Sequence, residues 1–123
     1  ALVPVPLAAT RLRERGYNQS ALLARGLASR WGVPVWDHVV ERSRNTSAQA
    51  RLTRAERLGN VADAFRHRAG TASLLRGRHV ILVDDVVTTA ATLSACATAL
   101  VEGGARIISC VTFGRARALG DRT

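Results

Sequence analysis

Residues 80–93 constrain the fold of this chain more than any other stretch: VILVDDVVTTAATL. Val80 to Val83 form a continuous apolar run with no polar face. A strand of this kind has to be covered on both sides, as the inner strands of parallel sheets are. The run passes into two adjacent carboxylates, Asp84 and Asp85, and then into the hydroxyls of Thr88 and Thr89. A helical pattern follows from Thr92 to Glu102, with Leu93, Cys96, Ala97 and Leu100 on its inner face and Gly103 and Gly104 as its stop. A buried strand feeding a helix through a short turn is half of a parallel crossover unit.

The rest of the chain repeats that alternation. ALVPVPL at the N-terminal end predicts a short buried strand ending near Val5, because Pro4 and Pro6 cannot donate to a ladder. AATRLRERGYN predicts a basic turn punctuated by Gly16. A helix is predicted over 18–31, with Asn18 as N-cap and Gly32 as stop. Ala24, Leu27 and Trp31 form its inner stripe beside Leu23, and Arg25 and Arg30 lie off it. VPVWDHVVER reads as a second strand, VADAF as a short strand, GTASLLRGRH as a turn region, and ARIISCVTF as another buried strand before a polar tail from Gly114. The expected class is therefore α/β: a mainly parallel sheet flanked by helices, in one domain spanning residues 1–123.

Residues 42–60 break the pattern. They hold five arginines against one acid and almost no apolar side chains. Thr53-Arg54-Ala55-Glu56 fits a capping box, which predicts a short helix to about Leu58 and a turn closing at Asn60. A connection this long in a compact domain is usually a lid or binding loop. A flexible lid is therefore expected over 42–60.

The formal net charge is +9, and every one of the 18 basic residues is Arg. That excess points to an anionic partner, either a phosphorylated small molecule or a nucleic acid. Aromatic residues make up only 4% of the chain, too few for base-stacking platforms, so phosphate is favoured over sequence reading. No apolar run is long enough to span a membrane, and Ala1 to Leu7 lacks the basic start of a signal peptide. Cys96 and Cys110 have no metal-site or redox spacing and read as buried, reduced thiols, in keeping with a cytoplasmic protein. His38, His67 and His79 lack ligand spacing, so no protein-held metal is expected. Trp31 and Trp36 read as core or partner-facing residues and Tyr17 as a helix anchor. The chain contains no Met and opens in the middle of a strand pattern, so further sequence upstream is expected.

Ligands of open parallel sheets bind beyond the carboxyl ends of the strands. Asp84 and Asp85 lie at such an end, followed by a helix N-terminus whose amides and partial positive charge favour a phosphate. Thr88, Thr89 and Thr92 add hydroxyl donors at the same place. One Asp could cap the helix, but two adjacent acids cannot both do so, and their repulsion requires hydroxyl or cationic partners. A sugar phosphate satisfies both halves, its diol on the acids and its phosphate on the loop.

VILVDDVVTTAAT resembles the phosphoribosyl pyrophosphate (PRPP) binding motif of type I phosphoribosyltransferases. PVP (4–6), RLRERGYNQ (11–19), RSRNTSAQ (42–49), Arg57, Asn60 and Ala64-Phe65, in this order, resemble the ComF-like branch. The likeness runs from Val3 to about Arg115. It implies a Mg²⁺-dependent transfer of the 5-phosphoribosyl group from PRPP to an acceptor, with release of pyrophosphate. It implies that Asp84 and Asp85 bind the ribose hydroxyls, with Val86, Thr88, Thr89, Ala90, Ala91 and Thr92 around the 5′-phosphate. Pro6 and Leu7 would then contact pyrophosphate, with Arg15, Arg42, Arg44, Gln49, Arg51 and Arg57 closing over it. Mg²⁺ would sit mainly on PRPP oxygens and waters. The resemblance also implies an upstream zinc-binding segment.

Two departures stand out. Ala90 occupies a position where Gly is usual, and a positive φ there would cost roughly 1 kcal/mol. Thr88 stands where purine enzymes often carry an acidic general base, which disfavours a purine acceptor. A second function remains open: a non-catalytic protein of the competence (DNA uptake) type that binds PRPP or a nucleic acid such as single-stranded DNA. A homodimer is a further candidate assembly.

Overall fold

The computed structural model describes residues 1–7, 9–42, 64–87 and 90–115. The order is β1 (Leu2–Pro4), α1 (Ala9–Arg15), α2 (Gln19–Trp31), β2 (Val40–Arg42), β3 (Phe65–His67), α3 (Ala72–Leu75), β4 (His79–Val87), α4 (Ala91–Glu102) and β5 (Ile107–Arg115). One sheet runs β1-β4-β5 with both pairings parallel, and β2 and β3 form a separate antiparallel ribbon. This is the α/β architecture expected from the alternating pattern.

The Val80–Val83 run lies in the middle strand, as its uniform hydrophobicity requires. Alternate side chains serve opposite faces. Ile81 and Val83 join Leu2 of β1 and Ala24 of α2 on one face. Val80 and Leu82 join Val3, Val5, Cys96, Ala99 and Leu100 on the other. Leu82 and Leu100 are completely buried, each contributing roughly 2–3 kcal/mol of transfer free energy.

Pro4 belongs to β1 without breaking it. Leu2 N–H donates to Pro34 O and Val5 N–H donates to Val83 O, both at 2.9 Å. Pro4 shares the parity of Leu2, so its missing donor faces away from β4 and the central ladder loses nothing. Leu2 also bridges Val35 in parallel, and VPVWDHVVER is split: a bridge at Val35, a bend, then β2.

α2 starts and stops where its polar punctuation predicts. Asn18 is extended (φ −101°, ψ 114°) and its side chain accepts from Ser20 N–H. Gly32 is left-handed (φ 67°), its N–H bonded to Ala28 O at 2.9 Å. Ala21 and Ala24 face the sheet with Leu23 and Leu27 beside it, but Trp31, expected on that stripe, is 50% exposed. It is the last helical residue. Trp36 packs against the core.

Other expectations are corrected. The basic segment expected as a turn forms α1 before Gly16 (φ 78°), and the region expected as a turn at 70–79 contains α3. VADAF yields a strand only from Phe65 onward, and 61–63 lie outside the described residues. β5 is not a buried strand: it has no partner beyond β4 among the described strands, and Ile107, Cys110 and Phe113 are exposed. Arg42 is not part of a loop; it ends β2, where it pairs with Phe65 and places its guanidinium carbon 4.6 Å from the ring centroid. The remainder of the expected lid, the capping box and the tail from 116 lie outside the described residues. On the outer face of the ribbon Glu41 accepts from Arg66 Nε at 2.9 Å and Arg68 Nε at 3.2 Å.

The cysteines part company. Cys96 is fully buried on α4, and burial pushes its thiol up to about 12. Cys110, expected to be buried, is exposed on β5, and partial burial raises its pKa as well. A thiol reagent at pH 8 is expected to modify Cys110 in the folded protein and Cys96 only once the chain is unfolded, because the thiolate is the reactive form. Peptide mass mapping after timed labelling checks this.

Candidate functional site

The acid pair does not sit at the last residue of its strand. β4 runs on to Val87, pairing with β5 as far as Val87 opposite Arg115. Its ladder to β1, however, stops at Pro4 opposite Val83, closed by the Val5 N–H bond. Asp84 and Asp85 are therefore the first residues of β4 past the end of its ladder to β1. A cleft of about 390 Å³ opens there, lined by both acids.

The cleft gathers residues from across the chain. Pro6 and Leu7 line it from the segment after β1, Arg15 from α1, Arg42 from the ribbon and Thr92 from the first turn of α4. All five were expected at the site from the sequence. The structure adds Val5, Arg11, Asn18, Gln19 and Ser20. These were missed as site residues, although Arg11 to Gln19 lie in the block that resembles the ComF-like branch; Asn18 reads in sequence only as a cap. Ala90 and Ala91 begin α4 without lining the cleft, and only the backbone of Val86 is described. Thr88, Thr89, Arg44, Gln49, Arg51 and Arg57 lie outside the described residues.

Asp84 is held in place. Its Oδ1 accepts from Ser20 Oγ at 3.2 Å and from the Asp85 backbone N–H at 2.9 Å. Among the described residues, neither acid forms an ion pair or caps α4, whose N-cap, Ala90, carries no side-chain cap bond. Ala90 has φ −78°, so Ala replaces the usual Gly without left-handed strain at that residue. Arg42 Nε donates to Pro6 O at 2.9 Å, which fixes the post-β1 segment as one wall of the cleft.

Burial raises the Asp84 pKa, and the neighbouring Asp85 carboxyl adds to it; the hydrogen bonds from Asp85 N–H and Ser20 oppose it. Arg42, half-buried in the same cleft, has its pKa lowered, mainly by burial. A carboxyl with a raised native pKa holds its proton more tightly folded than unfolded. Its favourable contribution is present below the ordinary Asp range and is lost as pH rises through the raised value, so ionised Asp84 destabilises the fold at neutral pH. Asp84→Asn is expected to raise the melting temperature at pH 7 and to give no gain at pH 3. The gain stays below about 1 kcal/mol because solvent reaches the carboxyl and screens the repulsion. Thermal melts of both proteins at the two pH values check this.

The described residues contain no cluster of three His, Cys, Asp or Glu side chains that could hold a metal. A cation in this cleft would have the two carboxylates nearby and would draw most of its ligands from substrate oxygens and water, which suits a hard ion arriving with a polyphosphate.

The family comparison agrees with this geometry. The model of the phosphoribosyl transferase domain matches residues 17–122, and the chain belongs to that family. Its relatives place it on the ComF-like branch. It is 41% identical over 108 residues to the DNA utilization protein YhgH of Escherichia coli K12, covering 87% of this chain and 45% of that protein. It is 41% identical over 95 residues to competence protein F of Haemophilus influenzae, covering 76% of this chain and 41% of that protein. Competence protein ComFC of Bacillus subtilis is 36% identical over 103 residues, covering 84% of this chain and 39% of that protein. The chain thus spans less than half the length of these relatives. No solved structure matches it. No helix among the described residues is long and apolar enough to cross a membrane.

Proposed function

We propose that the cleft binds PRPP and that the chain transfers its 5-phosphoribosyl group to an acceptor, releasing pyrophosphate. The observation that carries this reading is the pair Asp84–Asp85 lining one cleft together with Arg11, Arg15 and Arg42. Two carboxylates and three guanidinium groups around one space suit a ligand with a diol at one end and a polyphosphate at the other. A plain anion would be repelled by the acids, and a plain sugar would make no use of the positive charge that Arg11, Arg15 and Arg42 bring to the cleft.

In this reading Asp84 and Asp85 accept hydrogen bonds from the ribose 2′- and 3′-hydroxyls. Thr88, Thr89 and Thr92, with the backbone from Val86 to Ala91, receive the 5′-phosphate. Pro6 and Leu7 border the pyrophosphate. Arg15 and Arg42, with Arg44, Gln49, Arg51 and Arg57 of the 42–60 segment, close over it, their planar forks matching phosphate oxygens. The bond from the anomeric carbon to pyrophosphate breaks as the acceptor bonds to that carbon, and pyrophosphate departs with the electron pair. Charge develops on the ribose ring and the leaving group, so positioning and electrostatics do most of the work. Mg²⁺ bound with the substrate supplies neutralisation of the pyrophosphate charge. A cytoplasmic location accords with a phosphorylated substrate.

A second reading, a non-catalytic PRPP- or nucleic-acid-binding protein, is favoured by one observation in particular: Arg11, Arg13 and Arg15 all lie exposed on α1. The names of the relatives, DNA utilization and competence, point the same way. Calorimetric titration with PRPP and Mg²⁺ tests the first reading, and the absence of heat with the wild-type chain removes it. For the second, the logarithm of single-stranded DNA affinity should fall linearly with log salt concentration, and the affinity should survive loss of the acid pair.

A further inference from the structure

We infer that Ser20, with the Asn18 cap that places it, is a positioning residue for Asp84, holding its carboxyl in the orientation and charge state that a diol requires. The inference rests on the PRPP reading for its purpose, but its geometry stands apart from it. Ser20 is 3% exposed, the more deeply buried of only two buried polar or charged residues among those described. Ser20 borders the cleft yet is almost wholly buried, so its hydroxyl acts mainly through what it bonds to. Its Oγ donates to Asp84 Oδ1 at 3.2 Å, across 64 positions of sequence.

Asn18 places that hydroxyl with both ends of its amide. Its Oδ1 accepts from Ser20 N–H at 3.1 Å, and its Nδ2 donates to Val5 O at 3.0 Å. Val5 N–H in turn bonds Val83 O, the residue before Asp84. A closed circuit results: Asp84 to Ser20, Ser20 to Asn18, Asn18 to Val5, Val5 back to β4. Asn18 and Ser20, at the start of α2, supply the side chains and Val5 supplies its backbone, so the start of α2 ties the segment after β1 to the carboxyl opposite it.

The charge state follows from the same bond. A hydroxyl donor favours the ionised carboxylate, the form that accepts from two ribose hydroxyls. It works against burial and against Asp85 on the same strand. The other groups facing Asp84 are Arg42 from β2 and Cys96 from α4, with Arg11 and Arg15 of α1 on the same cleft. Arg42, the protonated Cys96 thiol and the Asp85 N–H are the same in wild type and in a variant at Ser20, so a shift of the Asp84 midpoint reports the Ser20 donor.

The test is a direct titration of Asp84 by carboxyl carbon NMR in the ligand-free chain, for wild type, Ser20→Ala and Ser20→Thr. Ser20→Ala is expected to move the Asp84 midpoint to higher pH, and Ser20→Thr, which keeps the hydroxyl, to return it toward the wild-type position. An unchanged midpoint in Ser20→Ala overturns the inference, whether or not PRPP binds. PRPP titration of the same variants over pH is the second arm. Ser20→Ala should lose roughly tenfold in affinity near neutral pH, the worth of one hydrogen bond to a charged group, and its acid limb should shift upward with the midpoint. A loss that is the same at every pH marks Ser20 as packing only and also overturns the inference. If the wild type binds no PRPP, the substrate reading fails while the midpoint shift still decides the role of Ser20.

Discussion

Asp84→Asn combined with Asp85→Asn is expected to abolish the calorimetric signal of PRPP and Mg²⁺. Each carboxylate that accepts from a ribose hydroxyl makes a charge-assisted bond worth about 1.5–3 kcal/mol, so losing both weakens binding by more than about a hundredfold. That moves a micromolar ligand out of calorimetric range. Asn has the shape of Asp and at position 84 can still accept from Ser20 Oγ and from the backbone N–H of position 85, so the fold survives. The melting temperature of the double variant at pH 7 should equal or exceed that of wild type, because the strand no longer carries two adjacent charges, one of them half-buried. Loss of heat with an intact melt assigns the acids to ligand binding. Affinity within threefold of wild type would show that the diol does not sit on them, and the PRPP reading would fall.

Gly103→Ala is expected to destabilise the chain by about 1–3 kcal/mol, although Ala at most helix ends costs little. Gly103 has φ −76°, an ordinary value, so backbone freedom is not the reason for glycine. The reason is space. A Cβ at this position would lie 2.8 Å from Leu75 Cδ1, 2.9 Å from His67 Cβ and 3.0 Å from His67 Cγ. Leu75 is completely buried and cannot swing away into solvent. α3 and β3 converge on the end of α4 at this point, and a methyl group would wedge them apart. Gly26, inside α2 with nothing within 4 Å of its would-be Cβ, is the control: Gly26→Ala should stabilise by about 0.5–1 kcal/mol, since Ala restricts the unfolded chain and favours helix. Urea unfolding of the two variants should move the midpoint in opposite directions. A Gly103→Ala midpoint at or above wild type would mean that the three elements do not meet so closely.

Much of the site was legible in the sequence where local chemistry sufficed. The Val80–Val83 run reads as a doubly covered strand because no side chain in it tolerates water, and it is the central strand. Asn18 and Gly32 bound α2 because a cap and a left-handed stop are properties of a few consecutive residues. The paired acids read as ligand-facing because adjacent charges repel and call for hydroxyl or cationic partners, and they line the cleft. Pro6, Leu7, Arg15, Arg42 and Thr92 join them there. Cys110 reads as buried and is exposed, and Trp31, which reads as core or partner-facing, is half exposed, because hydrophobicity reports what a residue favours and says nothing about whether the sheet reaches that far. α1 was misread as a turn because its arginines give no apolar stripe, yet arginine is a good helix former.

The sequence by itself determined the parts whose energetics are local: strand, cap, stop, and an acid pair in need of hydroxyl or cationic partners. Only the tertiary structure decided what those acids meet. β1 ends opposite Val83, so the cleft begins at Asp84. The first turn of α2 lies against that opening, and Ser20 reaches a carboxyl 64 residues away. Such contacts depend on where elements stop and how they stack, which is set by the packing of whole faces and leaves no periodic trace along the chain.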